Sequence, residues 1–173
     1  MVTGNKGKVV EVSRGLGKPV TQVELHLDEV QSLDLSHIVK RKAEDAFEIL
    51  QKPLLTDDAG LFIYEWQGFP GPFVKYIESC GGPQLMLDMT RSLTDRRAYF
   101  ICAMAYHDGK TVHVAEGRLE GKLSIEKQPG GWGFDPIFIP EGYNQTMGYL
   151  RDNKVPFTSH RNRALDQLKK LFS

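Results

Sequence analysis

The sequence predicts an α/β protein with a mixed central sheet flanked by helices. Three observations carry that expectation: helical and strand periodicities alternate in the first third, an antiparallel meander occupies the middle, and a clean helical stripe closes the chain. Residues 6–16 read as a short helix that opens after Thr3-Gly4-Asn5 and stops at Gly15 and Gly17. Residues 20–27 alternate Val20, Val23, Leu25 and Leu27 with polar side chains, the pattern of a strand. Residues 36–51 read as a helix capped by Ser36 and halted by Pro53. Leu54-Leu55-Thr56 is a buried strand tip running into Asp57-Asp58-Ala59-Gly60, and 61–64 is a separate strand before the turn-rich 68–72. Strands at 97–106 and 111–117 flank an Asp-Gly turn at 108–109, with a third at 119–125. A second glycine-rich loop, 129–136, precedes a short strand at 137–139. The last helix, 160–172, sets Ala164, Leu165, Leu168, Leu171 and Phe172 on one face.

A chain of 173 residues reads as one domain, 1–173, with bulk enough for a sizeable core. Lys plus Arg and Asp plus Glu number 22 each. That balance argues against a nucleic-acid polymer or an anionic membrane held by bulk charge, while a few converging cations could still hold a small anion. Cys80 and Cys102 form no CxxC pair, which leaves no disulfide framework and suits a reducing cytoplasm. The five histidines show no HExxH spacing. No apolar run approaches the ~20 residues of a membrane span, and no signal segment is expected.

Five places could carry chemistry. Thr3, Gly4, Asn5, Lys6, Gly7 and Lys8 combine glycines, helix-start N–H groups and lysines, a phosphate-binding combination, although the spacing is not that of a Walker A loop. An ordinary loop opening a helix would look the same. Asp57-Asp58, expected at a strand end, could bind a hard cation such as magnesium or make a solvated turn. Lys42 falls inside the apolar half of the 36–51 wheel, among Ile38, Val39, Ala43, Ala46, Phe47, Ile49 and Leu50. A lysine there either snorkels or reaches an anion. Trp132, Gly133, Phe134 and Asp135 place rings beside glycines and a carboxylate, suited to stacking a base or to a turn with core aromatics. Ser159-His160-Arg161 opens the last helix, where the dipole adds positive potential to what could equally be a cap.

Together, Thr3 to Lys8, Asp57-Asp58-Ala59-Gly60-Leu61, Gly68-Phe69-Pro70-Gly71-Pro72-Phe73-Val74-Lys75-Tyr76, Gly133-Phe134-Asp135-Pro136-Ile137-Phe138 and Ser159-His160-Arg161 resemble, in order, the inosine triphosphate pyrophosphatase family, in its archaeal and eukaryotic branch. The resemblance implies two lobes with a nucleotide cleft, a homodimer, and magnesium-dependent hydrolysis of ITP, dITP and XTP to monophosphate and pyrophosphate. It implies that Asp58 is the catalytic carboxylate and a metal ligand, with Glu29 as the second ligand. Thr3 to Lys8, Lys42, Ala59 and Lys75 would line triphosphate and sugar. Trp132 to Asp135, His160 and Arg161 would hold the base. The chain departs from the family pattern at three points. Only Met1 and Val2 precede the first loop, where a full apolar strand is usual. Ala59 replaces a serine. Val155 stands at the position of a base-contacting lysine, which shifts that role to Lys154. A pyrimidine-nucleotide pyrophosphatase and an inactive nucleotide-binding module are the competing readings.

Overall fold

The computed structural model describes residues 1–172. Its elements are α1 (Lys6–Leu16), α2 (Leu35–Leu50), β1 (Leu54–Ile63), β2 (Pro70–Gly71), α3 (Val74–Cys80), α4 (Gly82–Met89), β3 (Arg97–His107), β4 (Val112–Leu123), β5 (Phe138–Pro140), α5 (Met147–Asp152) and α6 (His160–Lys170), with a 3-10 turn at Asp135–Ile137. The sheet runs β2-β1-β3-β4-β5. Its β1–β2 and β4–β5 pairs are antiparallel, and the parallel bridge of Val2 to Val23 lies outside the five strands, so the α/β class holds with an antiparallel sheet. Among the described residues no helix is long and apolar enough to cross a membrane.

The chain divides into two compact units, the first made of Met1–Ala59, Ile101–Arg118 and the segment from Ser159, the second of Gly60–Phe100 and Leu119–Thr158. In the first unit, Val12, Cys102, Met104, Ala164, Leu165 and Leu168 form a core closed by Met1. Here α1 begins because Asn5 Oδ1 accepts from the N–H groups of Gly7 (2.8 Å) and Lys8 (3.3 Å). It ends at Gly17, whose φ of 66° is the left-handed conformation a helix stop favours. Helix α2 is capped by Asp34, not Ser36: Asp34 Oδ1 takes the N–H groups of Ser36 (2.9 Å) and His37 (3.2 Å). The Ser36 hydroxyl instead donates to Glu116.

Three expected strands come out differently. The stretch 20–27 pairs at one point only, Val23. The Asp57-Asp58-Ala59-Gly60 segment, expected as a strand end followed by a new strand, is the interior of the single ten-residue strand β1. Sheet pairing there overrides the local turn preference of Asp and Gly. The strand foreseen at 119–125 is likewise the continuation of β4.

In the second unit, Leu61, Ile63, Met86, Ala98, Phe100, Ile137, Phe138 and Met147 belong to one core. Arg96 ties it down from the edge, its guanidinium donating to the carbonyls of Thr90 (2.7 Å), Leu123 (3.1 Å) and Ser124 (2.7 Å). Helices α3, α4 and α5 were not expected from the sequence, since they are only six to eight residues long and too short for a convincing helical stripe.

Gly117 of β4 lies directly on α6: a Cβ there would collide with the backbone at His160 and Ala164. Backbone atoms cannot rotate away, so Gly117→Ala is expected to cost at least about 2 kcal/mol. Gly4, with nothing within 4 Å of its ideal Cβ, is the control, and Gly4→Ala should stay within about 0.5 kcal/mol of wild type in urea unfolding. Equal stability of the two variants would mean that β4 and α6 do not pack this closely.

Candidate active site

The first unit gathers most of the charged candidates. Two backbone bonds seat the opening loop: Val2 N–H donates to Leu55 O (2.8 Å) and Thr3 N–H to Val23 O (3.0 Å). Met1 and Val2 are both buried and help anchor the loop to its neighbours. Thr3 Oγ1 accepts from Asn5 N–H (3.1 Å), and Gln22 donates to the Thr3 carbonyl (3.0 Å). Lys6 is exposed. Lys8 turns the other way and pairs with Asp57 Oδ1 at 3.2 Å.

That pair belongs to a buried network. Arg161 Nε donates to Asp57 Oδ2 (2.8 Å), and its Nη1 donates to Glu11 Oε2 (2.9 Å). The Ser159 hydroxyl donates to the other Glu11 oxygen while accepting from Asn162 N–H. The side chains of Asp57 and Arg161 are 0% and 1% exposed. Burial by itself would raise the Asp57 carboxyl, but Lys8 and Arg161 outweigh it and hold it well below the usual carboxylate range. Burial likewise opposes the Arg161 charge, and Asp57, with lesser help from Glu11, more than restores it. Cys102 lies 3.9 Å from Asp57, and burial pushes its thiol far above neutrality, which removes it as a nucleophile.

Asp58, one residue along β1, has the opposite environment. Burial raises its pKa, and Asp57 adds to the effect. Lys8, Lys42 and the Ala59 N–H, donating at 2.9 Å, only partly offset it. Neighbouring carboxylates pushed in opposite directions are the signature of divided roles, one structural and one chemical. Lys42, at the edge of the apolar face of α2, pairs with Glu29 Oε1 at 3.1 Å. Glu29 and Asp58 therefore both sit within the field of one lysine. Ile49, placed on the same apolar face by the helical wheel, is 59% exposed. His160 is buried at the start of α6.

The second unit holds the ring-bearing candidates. The loop 129–135 turns through Gly130, Gly131 and Gly133, all with positive φ. Gly148 of α5 presses on Gly130, leaving no room for a Cβ. Phe134 and Asp135 are buried, and Trp132 N–H donates to Asp135 Oδ2 (3.3 Å). Arg151 of α5 ion-pairs with the same oxygen at 2.7 Å. Its guanidinium carbon lies 5.7 Å from the Trp132 ring centroid and 5.4 Å from that of Phe157. Lys154 is exposed and has a left-handed backbone (φ 55°). Lys75, in the first turn of α3, sits 5.2 Å from the Tyr76 ring, and burial lowers its pKa.

The structure thus joins Lys8, Asp57 and Arg161 in one network and Lys42 with Glu29, and it links Trp132 to Asp135. Glu11 and Arg151 were missed by sequence reasoning. Glu11 meets its partner 150 positions away, a pairing no local pattern encodes. Arg151 left a faint signal, a cation beside the position where Val155 replaces a lysine.

The depressed Asp57 carboxyl makes the fold acid-sensitive. Its stabilisation is fully present above the ordinary carboxylate pKa near 4 and drains away as pH falls toward the lowered folded value. Urea midpoints measured from pH 6 down to pH 2.5 should therefore fall more steeply for wild type than for Asp57→Asn, whose midpoint is already low because Arg161 loses a partner. Parallel curves would show that another group governs acid unfolding.

With the geometry in hand, comparison with known proteins gives one answer. The Ham1 family model matches residues 1–171. The dITP/XTP pyrophosphatase of Korarchaeum cryptofilum is 37% identical over 169 residues, covering 96% of this chain and 91% of the relative. That of Thermococcus kodakarensis is 36% identical over 168 residues, covering 95% and 91%. Among solved structures, a HAM1 protein from Coxiella burnetii superposes with a TM-score of 0.83 at 25% identity, covering 99% of this chain and 96% of that one. The Ham1 protein of Staphylococcus aureus shares the fold, with a TM-score of 0.81 at 24% identity and the same coverage. The resemblance read from the five ordered motifs holds along nearly the whole sequence, and the chain belongs to the Ham1 family.

Proposed function

We propose that the chain is a single magnesium-dependent pyrophosphatase domain that hydrolyses ITP, dITP and XTP to the monophosphate and pyrophosphate. The observation that carries this reading is the Asp57-Asp58 pair. One carboxylate is locked in ion pairs, and its half-buried neighbour has too little positive charge around it, beside Lys8 and Lys42. The names of the archaeal relatives support the substrate class.

The donor set fits magnesium. Asp58 is a carboxylate whose raised pKa marks uncompensated negative charge, and Glu29 supplies a second hard oxygen close to Lys42. One or two carboxylates plus substrate phosphate oxygens is the usual protein share of a magnesium site. When bound, the ion would neutralise charge developing on the phosphates.

The chain's own residues account for the rest. Asp58, with its pKa shifted toward the working range of a general base, orients the attacking water and takes its proton as the bond between the α and β phosphates breaks. Lys8 and Lys42 stabilise the negative charge that moves onto the pyrophosphate. Thr3 to Lys8 line the phosphates, with the open space over Gly4 allowing close backbone approach. Ala59 has no hydroxyl, and its N–H already serves Asp58. Lys75 serves as a phosphate or sugar contact, and Trp132 to Asp135, His160 and Lys154 as base contacts. Arg161 has two roles here: the cation that fixes Asp57 and Glu11, and, by resemblance, a base contact made by the same buried guanidinium. A cytoplasmic address and a homodimer complete the reading, the first supported by the two cysteines standing outside any disulfide, the second by the family resemblance.

Incubation of ITP, XTP, dITP, GTP, ATP and UTP with magnesium, with pyrophosphate and phosphate measured separately, tests the reading. Pyrophosphate should come from the first three well ahead of ATP. Release chiefly from UTP would favour a pyrimidine enzyme, and no release an inactive module. Asp58→Asn should lower turnover by roughly two powers of ten or more. The same variant should melt higher than wild type at pH 7, because a raised carboxyl pKa means that the charged form opposes folding there. Near-normal turnover of Asp58→Asn would remove Asp58 from the mechanism. Lys42→Met keeps the packing stem and should lose catalytic efficiency by at least roughly tenfold, as expected for a lost charge-assisted contact. Full activity in that variant would reduce Lys42 to a structural partner of Glu29.

A further inference from the structure

The reading above leaves the cation that recognises the base poorly placed. Val155 stands where the motif pattern calls for a lysine, and Lys154 is exposed, with no contact to the loop that carries Trp132 and Asp135 among the described interactions. Arg151, which no motif picked out, makes that contact. Its Nε lies 2.7 Å from Asp135 Oδ2, its guanidinium carbon lies over the rings of Trp132 and Phe157, and its side chain is 20% exposed. We propose that Arg151 is the specificity-determining cation of this chain, donating from its guanidinium to the 6-carbonyl of a hypoxanthine or xanthine base seated at the Trp132-Asp135 loop. The proposal rests on the pyrophosphatase reading above.

Several features of the second unit support it. An arginine is always protonated, has five N–H donors and has no acceptor, so it matches a 6-carbonyl and opposes the 6-amino group of adenine. The ion pair with Asp135 and the contacts with the two rings restrain the guanidinium, so less side-chain entropy remains to be lost on binding. The Asp135 carboxylate is itself set by Trp132 N–H, and the adjoining Asp152 of α5 accepts from Gly131 N–H at 3.3 Å. Gly148 lets α5 close directly on Gly130. The loop and the helix that carries Arg151 are therefore one rigid piece, and the cation is built into the same surface as the ring proposed to stack on the base. A lone surface arginine would need none of this bracing.

Catalytic efficiencies for ITP and ATP in wild type, Arg151→Met and Arg151→Lys test the proposal, with melting temperatures as the check on folding. The informative quantity is the ITP-to-ATP ratio, because a purely structural arginine would lower both substrates together. Arg151→Met should reduce that ratio by at least roughly tenfold, mainly by loss of ITP turnover, since a hydrogen-bonding site that loses its donor loses its discrimination. Arg151→Lys should fall between Met and wild type: it keeps the charge and loses the fork. If the Met variant does not fold, the Lys variant decides by itself, with a several-fold drop in the ratio expected. A ratio within about twofold of wild type in the folded variants overturns the assignment. Wild-type protein that releases no pyrophosphate from ITP overturns the parent reading as well, and that outcome is visible before any variant is made.

Discussion

The Asp57 carboxylate sits in the interior of a strand, without exposure to water, and stays ionised. That is possible only because Lys8 and Arg161 reach it from two different helices. Arg161 in turn is balanced by Glu11, whose other oxygen takes the Ser159 hydroxyl. Two anions and two cations thus close on themselves with no net charge, which is the condition under which buried ions are tolerable. Removing one member would leave its partners charged and unpaired, typically at a cost of about 3–5 kcal/mol. Helix α1, strand β1 and helix α6 are tied together by this group as well as by their apolar faces.

The candidate chemistry depends on that register. The loop before α1 is fixed by the same helix that supplies Lys8 and Glu11, and Asp58 is carried by the same strand that supplies Asp57. The two aspartates share a peptide bond and a desolvated setting, yet they are driven apart because the cations are spent mostly on Asp57. What remains for Asp58 is a partial share of Lys8 and Lys42 and one backbone N–H. An under-compensated carboxylate lowers stability, which is why the proposed chemistry falls to Asp58 and not to Asp57.

In the second unit the same logic operates with rings in place of ions. Glycines at 130, 131 and 148 allow α5 and the 129–135 loop to touch backbone to backbone. Asp135 can then order the loop internally and anchor Arg151. Close approach is what converts a mobile glycine-rich segment into a rigid platform, because each added Cβ would hold the two backbones apart.

Much of this was legible in the sequence wherever the signal is local. The helix over 6–16, its glycine stop, the Asp-Gly hairpin and the Ala164, Leu165 and Leu168 stripe of the last helix follow from cap, turn and period chemistry confined to neighbouring residues; Leu171 and Phe172, expected on that stripe, lie beyond α6 and are exposed. The oddity of Lys42, a lysine on an apolar face, was visible on a helical wheel, and its need for a partner followed from desolvation alone. The order of the five motifs was enough to identify the family. What only the tertiary structure decided is everything that needs two distant segments at once. Asp57-Asp58-Ala59-Gly60 looks like a turn, and it is strand because sheet pairing supplies more than the local preference withholds. That Asp57 is the ion-paired carboxylate depended on which of the two Lys8 and Arg161 reach, and Arg161 lies 104 positions further along. Glu11 and Arg151 stayed hidden for the same reason: a charge shows its purpose only when its counter-charge is placed beside it, and folding does that placing.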